Sequence, residues 1–168
     1  MKVPAKAKSE SGESAHPDLE RFTARLKEGP PEPYSFVTLV GLKTLDPMKI
    51  EKQVEKGLPY SALLRFQRGL ALSLEQVAEV VSIKPRTLTR RKERGRLQPE
   101  ESDRLLRASR IFAQALQLFE GDVAAARRWL NSPQISLAGA RPLDMIKTDI
   151  AAREVENLIG RLEHGIPV

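Results

Sequence analysis

The stretch "SLEQVAEVVSIKPRTLTRRKER", Ser73 to Arg94, leaves the backbone few choices. Leu74, Val77, Ala78 and Val81 recur at i, i+3, i+4 and i+7, the apolar stripe of a helix. Ser73 stands ready to cap that helix, with Glu75 and Gln76 in its first turn. Pro85 cannot continue it but is suited to open another, because its ring fixes the φ that a first helical position needs. Ser82 and Ile83 therefore form a tight connection, and Gly95 ends the second helix. Leu88 points inward from that helix, and Ala78 is small where the first one is crossed. Two short helices, a turn of about three residues and a buried aliphatic on each side are the signature of a helix-turn-helix.

The same punctuation runs through most of the chain and predicts an all-α fold. Asp46-Pro47 opens a helix that Gly57 stops, and Pro59 opens one that runs to about Gly69. Pro99 opens a long helix to about Phe119, and Asp122 caps another that ends before Asn131-Ser132-Pro133. A loop follows, then a short turn from Pro142, and Thr148 caps a last helix that Gly165 ends. "YSFVTLVGL", Tyr34 to Leu42, is aromatic and β-branched and reads as one short strand or a buried extended piece. Residues 1–33 hold five of the twelve prolines, six positive and six negative charges and one aromatic, Phe22. Such a composition buries little surface against its ordering entropy, so the segment is expected to be a flexible arm. Leu19, Phe22 and Leu26 would line a short helix within it, stopped by Gly29-Pro30-Pro31. The resulting division is a flexible arm over 1–33, a helix-turn-helix DNA-binding region over 34–97 and a helical dimerisation and contact domain over 98–168.

Charge gives the second helix of the pair a task. The chain carries 28 basic and 22 acidic residues, a net +6. Lys84, Arg86, Arg90, Arg91, Lys92, Arg94 and Arg96 against Glu93 alone also give +6, so everything outside Lys84 to Arg96 sums to zero. A recognition helix enters the DNA major groove, where each neutralised phosphate releases counterions. Arg86, Thr87, Thr89 and Arg90 lie near its start and outer face, where an arginine can donate two hydrogen bonds to a guanine edge. Lys84, Arg91, Lys92 and Arg94 are assigned to the phosphate backbone. Lys84 is a poor N-cap, and the turn lacks the glycine common in this motif.

The second half reads differently. Leu105, Ala108, Phe112, Ala115 and Phe119 recur with 3, 4, 3, 4 spacing, and Leu106, Ile111, Leu116 and Leu118 add apolar surface on other faces. A helix apolar on more than one face is buried on more than one side. It is either an internal core helix or one that also builds a homodimer, which would match a two-half-site operator. In the last helix Val155, Leu158, Ile159 and Leu162 make one apolar face, with Arg153, Glu154, Glu156 and Arg161 on the others. Its nearly balanced charge suits protein contact rather than DNA.

The segments "LEQVAEVVSIKPRTLTRRK", "LQPEESDRLLRASRIFAQALQLF", "ARRWLNSPQISLAGARPLDMIKT" and "AREVENLIGRLEHGI" in this order resemble the Xre/ParS/MbcA-type antitoxins of bacterial toxin-antitoxin pairs. The resemblance runs from about Gly57 to Gly165. It implies a helix-turn-helix part that represses its own operon through operator DNA. It also implies a C-terminal part that dimerises and covers the active-site cleft of a RES-type, NAD-consuming toxin. Trp129, Arg141, Arg153, Glu154, Arg161, His164, Ile166 and Val168 are the residues expected to meet the toxin. The tail "HGIPV" is short and restricted by Pro167, and would lose little entropy on entering a cleft. A fragment from about Leu97 to Val168 is expected to fold, still dimerise and still hold the toxin, but not bind DNA.

Other classes fit the residues less well. The alternative is a free-standing helix-turn-helix regulator whose C-terminal domain binds a ligand or another protein. No catalytic or metal-binding residues and no cofactor are expected: there are two histidines, no cysteine, no Gly-rich phosphate loop and no metal-ligand cluster. Glu100 and Glu101 fall in the first turn after Pro99, where the helix dipole accounts for them, and a cation at His164 suits a helix C-terminus. The absence of cysteine suits a reducing cytoplasm, and the longest uncharged run, Trp129 to Ala140, is twelve residues, too short to span a bilayer. A cytoplasmic protein without a membrane partner is expected.

Overall fold

The structure, a computed structural model, describes residues 16–168. Among the described residues eight α-helices follow one another: α1 (Pro17–Leu26), α2 (Pro47–Lys56), α3 (Tyr60–Leu70), α4 (Leu74–Val80), α5 (Pro85–Arg94), α6 (Pro99–Leu118), α7 (Val123–Asn131) and α8 (Asp149–Glu163). Three 3-10 turns lie between them, at Ser35–Val40, Ile135–Leu137 and Pro142–Lys147. Among the described residues the sole β pairing is an isolated antiparallel bridge between Pro59 and Arg96.

The helices start where their caps stand. The Asp46 carboxylate accepts from the Met48 amide at 2.9 Å, and Asp122 accepts from Ala125 at 2.9 Å. Thr148 Oγ1 accepts from Ala151 at 3.3 Å. Ser73 and Gln76 form a reciprocal capping box, Gln76 N to Ser73 Oγ at 3.1 Å and Ser73 N to Gln76 Oε1 at 2.8 Å. Each bond satisfies an amide that a helix N-terminus otherwise leaves orphaned.

Two expectations are corrected. The part of the flexible arm that lies within the described residues is built into the fold; residues 1–15 lie outside them. Helix α1 buries Leu19 and Phe22, and Asp18 pairs with Arg65 of α3. Composition argued for flexibility because the segment cannot make a core by itself, but it borrows one from the helices it covers. The segment "SFVTLV" is a 3-10 turn, not a strand or extended piece. A lone strand would leave its amides without partners. Here they close locally: Val37 N donates to the Tyr34 carbonyl at 3.1 Å and Gly41 N to Thr38 at 3.0 Å. Tyr34 (φ 65°) and Gly41 (φ 86°) turn the chain at both ends, and Val37, Leu39 and Val40 are buried.

Helix α6 is the axis around which the rest packs. The 3-10 turn at Ser35–Val40, α2, α3, α7 and α8 all lie against it. Leu105, Ala108, Ile111, Ala115 and Leu116 are fully buried, and Phe112 meets Phe66 of α3 edge-on at 6.3 Å between ring centroids. Of the two readings of this apolar helix, the internal core helix is the one a single chain already satisfies. No helix among the described residues is long and apolar enough to cross a membrane.

Candidate nucleic-acid and partner interfaces

The helix-turn-helix comprises α4 and α5. Val77, Ala78 and Val81 are buried on one side of the turn and Leu88 on the other. The turn does without glycine because Ser82 takes the left-handed conformation, φ 56°. Ile83 N then donates to the Ala78 carbonyl at 2.8 Å, and the Ile83 side chain is buried. Lys84 precedes α5 without capping it.

Most of the basic residues of α5 face outward. Lys84, Arg86, Thr89, Arg90, Lys92 and Arg94 are exposed, and Thr87 is half-buried. None of the five cations in that set is held in an ion pair among the described residues. Free cations on one exposed helix can neutralise phosphates, and Arg86 and Arg90 retain both edges of their guanidinium for a base.

Arg91 is the correction. Its side chain is 9% exposed, and its Nε donates to Glu101 Oε2 at 2.8 Å, a carboxylate itself 8% exposed. A cation buried in that way has no phosphate to meet. Arg91 lies three residues after Leu88, on the same inward face, which is the signal the sequence reading passed over. Glu101 was passed over too, as a dipole-compensating residue. It closes a capping box by accepting from Gln98 N at 2.8 Å, and Ser102 takes part in the same corner, accepting from Leu58 N at 2.8 Å and donating to the Gln98 carbonyl. Arg104 Nε donates to the Val81 carbonyl at 2.7 Å, and Arg96 to that of Gly57 at 2.7 Å. These two arginines tie helix ends, Arg104 that of α4 and Arg96 that of α2.

The second surface lies on α7, α8 and the turns between them. Trp129 is on α7 and half-buried, with its ring 6.4 Å from Phe119. Arg141 is exposed and donates twice to Asp144, at 2.8 and 3.0 Å. Arg153 is exposed and donates to Asp149 at 2.8 Å, and that bond holds the Asp149 carboxyl below the usual carboxylate range. Glu154 is exposed. Arg161 is half-buried, with its Nε covered and unpaired. His164 ends α8, exposed, its Nδ1 2.6 Å from the Gly160 carbonyl. Ile166 N donates to the Arg161 carbonyl, so the tail leaves the helix by capping it, while the side chains of Ile166 and Val168 stay exposed. Two apolar residues that the sequence reading did not single out join this half: Ile135 is 98% exposed and Ile150 80%.

Arg110 pairs with Glu156 at 2.5 Å, and Arg107 donates to the Ile146 carbonyl at 3.3 Å, which fastens α8 and the preceding turn to α6. Among the described residues no group of three or more metal-ligating side chains forms.

A basic helix-turn-helix joined through a shared core helix to a second helical half defines a DNA-binding protein with a separate contact surface. Residues 49–110 match the antitoxin Xre-like helix-turn-helix domain, and residues 114–165 match the antitoxin Xre/MbcA/ParS C-terminal toxin-binding domain. The chain is 40% identical to the antitoxin Xre of Yersinia enterocolitica over 128 residues, 76% of this chain and 86% of that one. It is 32% identical to the antitoxin Xre of Photorhabdus laumondii over 114 residues, 67% of this chain and 77% of the relative. With the antitoxin Xre of Pseudomonas putida the identity is 30% over 119 residues, 70% and 72% of the two chains. The chain belongs to the Xre/MbcA/ParS antitoxin family. Its two halves are thereby a DNA-binding unit and a unit for a toxin partner, and its relatives are antitoxins rather than enzymes.

Proposed function

We propose that the chain is the antitoxin of a type II toxin-antitoxin pair: it inhibits a RES-type, NAD-consuming toxin by covering its active site, and as a homodimer it represses its own operon. The observation that carries this reading is that charge and apolar exposure occupy different elements. Lys84 and, on α5, Arg86, Arg90, Lys92 and Arg94 form a run of exposed cations with no ion pair among the described residues, whereas Ile135, Ile150, Ile166 and Val168 stand exposed in the C-terminal half, where Arg153, Glu154 and His164 are exposed too. A surface of the first kind attracts phosphate. Exposed aliphatic side chains are what a protein contact covers at its core. The resemblance in the Trp129–Lys147 and Arg153–Ile166 segments supports the RES-type partner, and the placement of Ile166 and Val168 at the free side of α8 supports their entry into its cleft.

The test is co-expression with the neighbouring gene, followed by an NAD-consumption assay on the co-purified partner. The full chain should suppress NAD loss, and a chain lacking Ile166 to Val168 should suppress it at least tenfold less well. A neighbour that neither co-purifies nor consumes NAD sinks the toxin assignment. Full inhibition by the shortened chain removes the tail and leaves Trp129, Arg141, Arg153 and Arg161 to carry the contact. For self-repression, the promoter of the operon driving a reporter should be silenced by the full chain and freed by Arg86→Ala with Arg90→Ala.

A further inference from the structure

Helix α5 is held at few points. Of its ten residues only Leu88 and Arg91 are buried. Leu88 belongs to the apolar core, and just past the helix the backbone is tied where Tyr60 N donates to the Gly95 carbonyl and Leu97 N to that of Leu58. Between these points Arg91 adds a directed side-chain contact to α6, its Nε 2.8 Å from Glu101 Oε2. Glu101 cannot swing with it. The same oxygen accepts from Gln98 N at 2.8 Å within the capping box of α6, and the carboxylate is nearly closed off from water. One turn further along α6, Arg104 reaches the carbonyl that ends α4. Both helices of the pair are thus referenced to the first two turns of the core helix.

We propose that Arg91 and Glu101 are positioning residues for DNA reading: the buried pair sets the pitch at which α5 presents Arg86 and Arg90, without touching DNA. The inference rests on the DNA-binding assignment of α5. A buried ion pair is a poor source of net stability, since the cost of desolvating both charges offsets their attraction, and apolar replacement of both partners is often tolerated. What such a pair supplies over an apolar contact is direction. A charge-assisted hydrogen bond holds its two groups at one distance and angle, whereas methyl groups slide. Base edges are read at hydrogen-bond tolerance, so a small rotation of α5 disrupts Arg86 and Arg90 at their bases. Phosphate attraction by Lys84, Lys92 and Arg94 tolerates the same rotation, because it depends on charge near the lattice rather than on aim.

The experiment compares the full chain with the double variant Arg91→Met/Glu101→Leu. The probes are a duplex selected by the full chain from a randomised pool and a scrambled duplex of equal length, each titrated across a salt series, with thermal unfolding followed in parallel. The expected result is a melting temperature within a few degrees of the parent, affinity for the scrambled duplex and its salt slope unchanged, and preference for the selected duplex reduced at least tenfold. Equal loss on both duplexes with a salt slope lower by about one unit would mean that Arg91 meets a phosphate after all, and would overturn the proposal. Unchanged preference would overturn it also, reducing the pair to packing. If the double variant does not fold, Glu101→Gln decides. It keeps the side-chain shape and the acceptor for Gln98 N, and should lower the preference at least threefold with scrambled-duplex affinity intact; no change in preference would again overturn the proposal. A parent chain that binds no duplex in the salt series disposes of the DNA assignment itself, which these variants do not address.

Discussion

Gly57 shows how a single residue can fix a junction. A Cβ there would lie 2.0 Å from the Leu97 carbonyl oxygen, and its φ of 81° is one that other residues rarely adopt. Directly beside it, Leu97 N donates to the Leu58 carbonyl at 2.9 Å and Tyr60 N to that of Gly95. The close approach of these two chain segments thus requires a missing side chain. Gly57→Ala should destabilise the fold by about 2–4 kcal/mol, the sum of backbone strain and a steric clash, read as a lower denaturant midpoint. His16 acts at the same scale. Its Nδ1 accepts from Leu19 N at 3.4 Å as the cap of α1, so the cap needs a neutral ring. Burial above all, with Arg68 and Arg65 nearby and against the opposing pull of Asp18, lowers its pKa below 6.5. Because the folded form resists the proton more than the unfolded chain does, the contribution is complete above pH about 6.5 and fades as pH falls below it. Amide protection factors in α1, taken relative to the intrinsic exchange rate at each pH, should therefore fall between pH 7.5 and pH 5.5, and His16→Asn, which caps without titrating, should abolish that fall.

At the scale of the element, α5 divides into residues that aim outward and residues that hold. Arg86→Ala or Arg90→Ala should cost about 1–3 kcal/mol on a selected duplex and relax one base position, because the bidentate base contact proposed for each is lost. Lys92→Ala or Arg94→Ala should weaken selected and scrambled duplexes alike and lower the salt slope by about one unit. Fluorescence anisotropy across a salt series separates the two patterns. Helix α6 is the counterpart: among its described side chains only Glu100, Asp103 and Gln117 are exposed. Its polar residues point inward where they serve a neighbour, as Glu101 serves α5, Arg104 serves α4, and Arg107 and Arg110 serve the α8 side.

For the whole molecule, α6 makes the two activities separable by substitution but not by cutting. The match to the helix-turn-helix domain runs to residue 110 and that to the toxin-binding domain starts at residue 114, so both meet inside this helix. A fragment from Leu97 to Val168 loses Phe66 from against Phe112, along with Val37, Leu39 and Val40 from the same core. Exposing Phe112 and its neighbours costs several kcal/mol on the scale of large-to-small core substitutions, which approaches the whole stability of a small domain. The expectation that this fragment folds is therefore replaced by its opposite: circular dichroism should show reduced helicity and a broad, non-cooperative melt.

The sequence by itself determined the helices and their limits, since proline, glycine and cap residues act through their own backbone over three or four positions. Asp46, Ser73, Asp122 and Thr148 cap the helices they were expected to cap. It also determined that charge gathers on α5, because a run of cations is visible without a fold. Tertiary structure alone decided what each side chain faces. The same proline-rich composition that spoke for a flexible arm contains Leu19 and Phe22, and whether they are buried depends on helices more than forty residues away in sequence, as the Asp18–Arg65 pair records. Arg91 and Lys92 are neighbours of like charge in a basic run, yet a rotation of about 100° along the helix leaves Lys92 in water and turns Arg91 to Glu101. Burial is a property of the partner that arrives, and no pattern confined to α5 could name Glu101 as that partner.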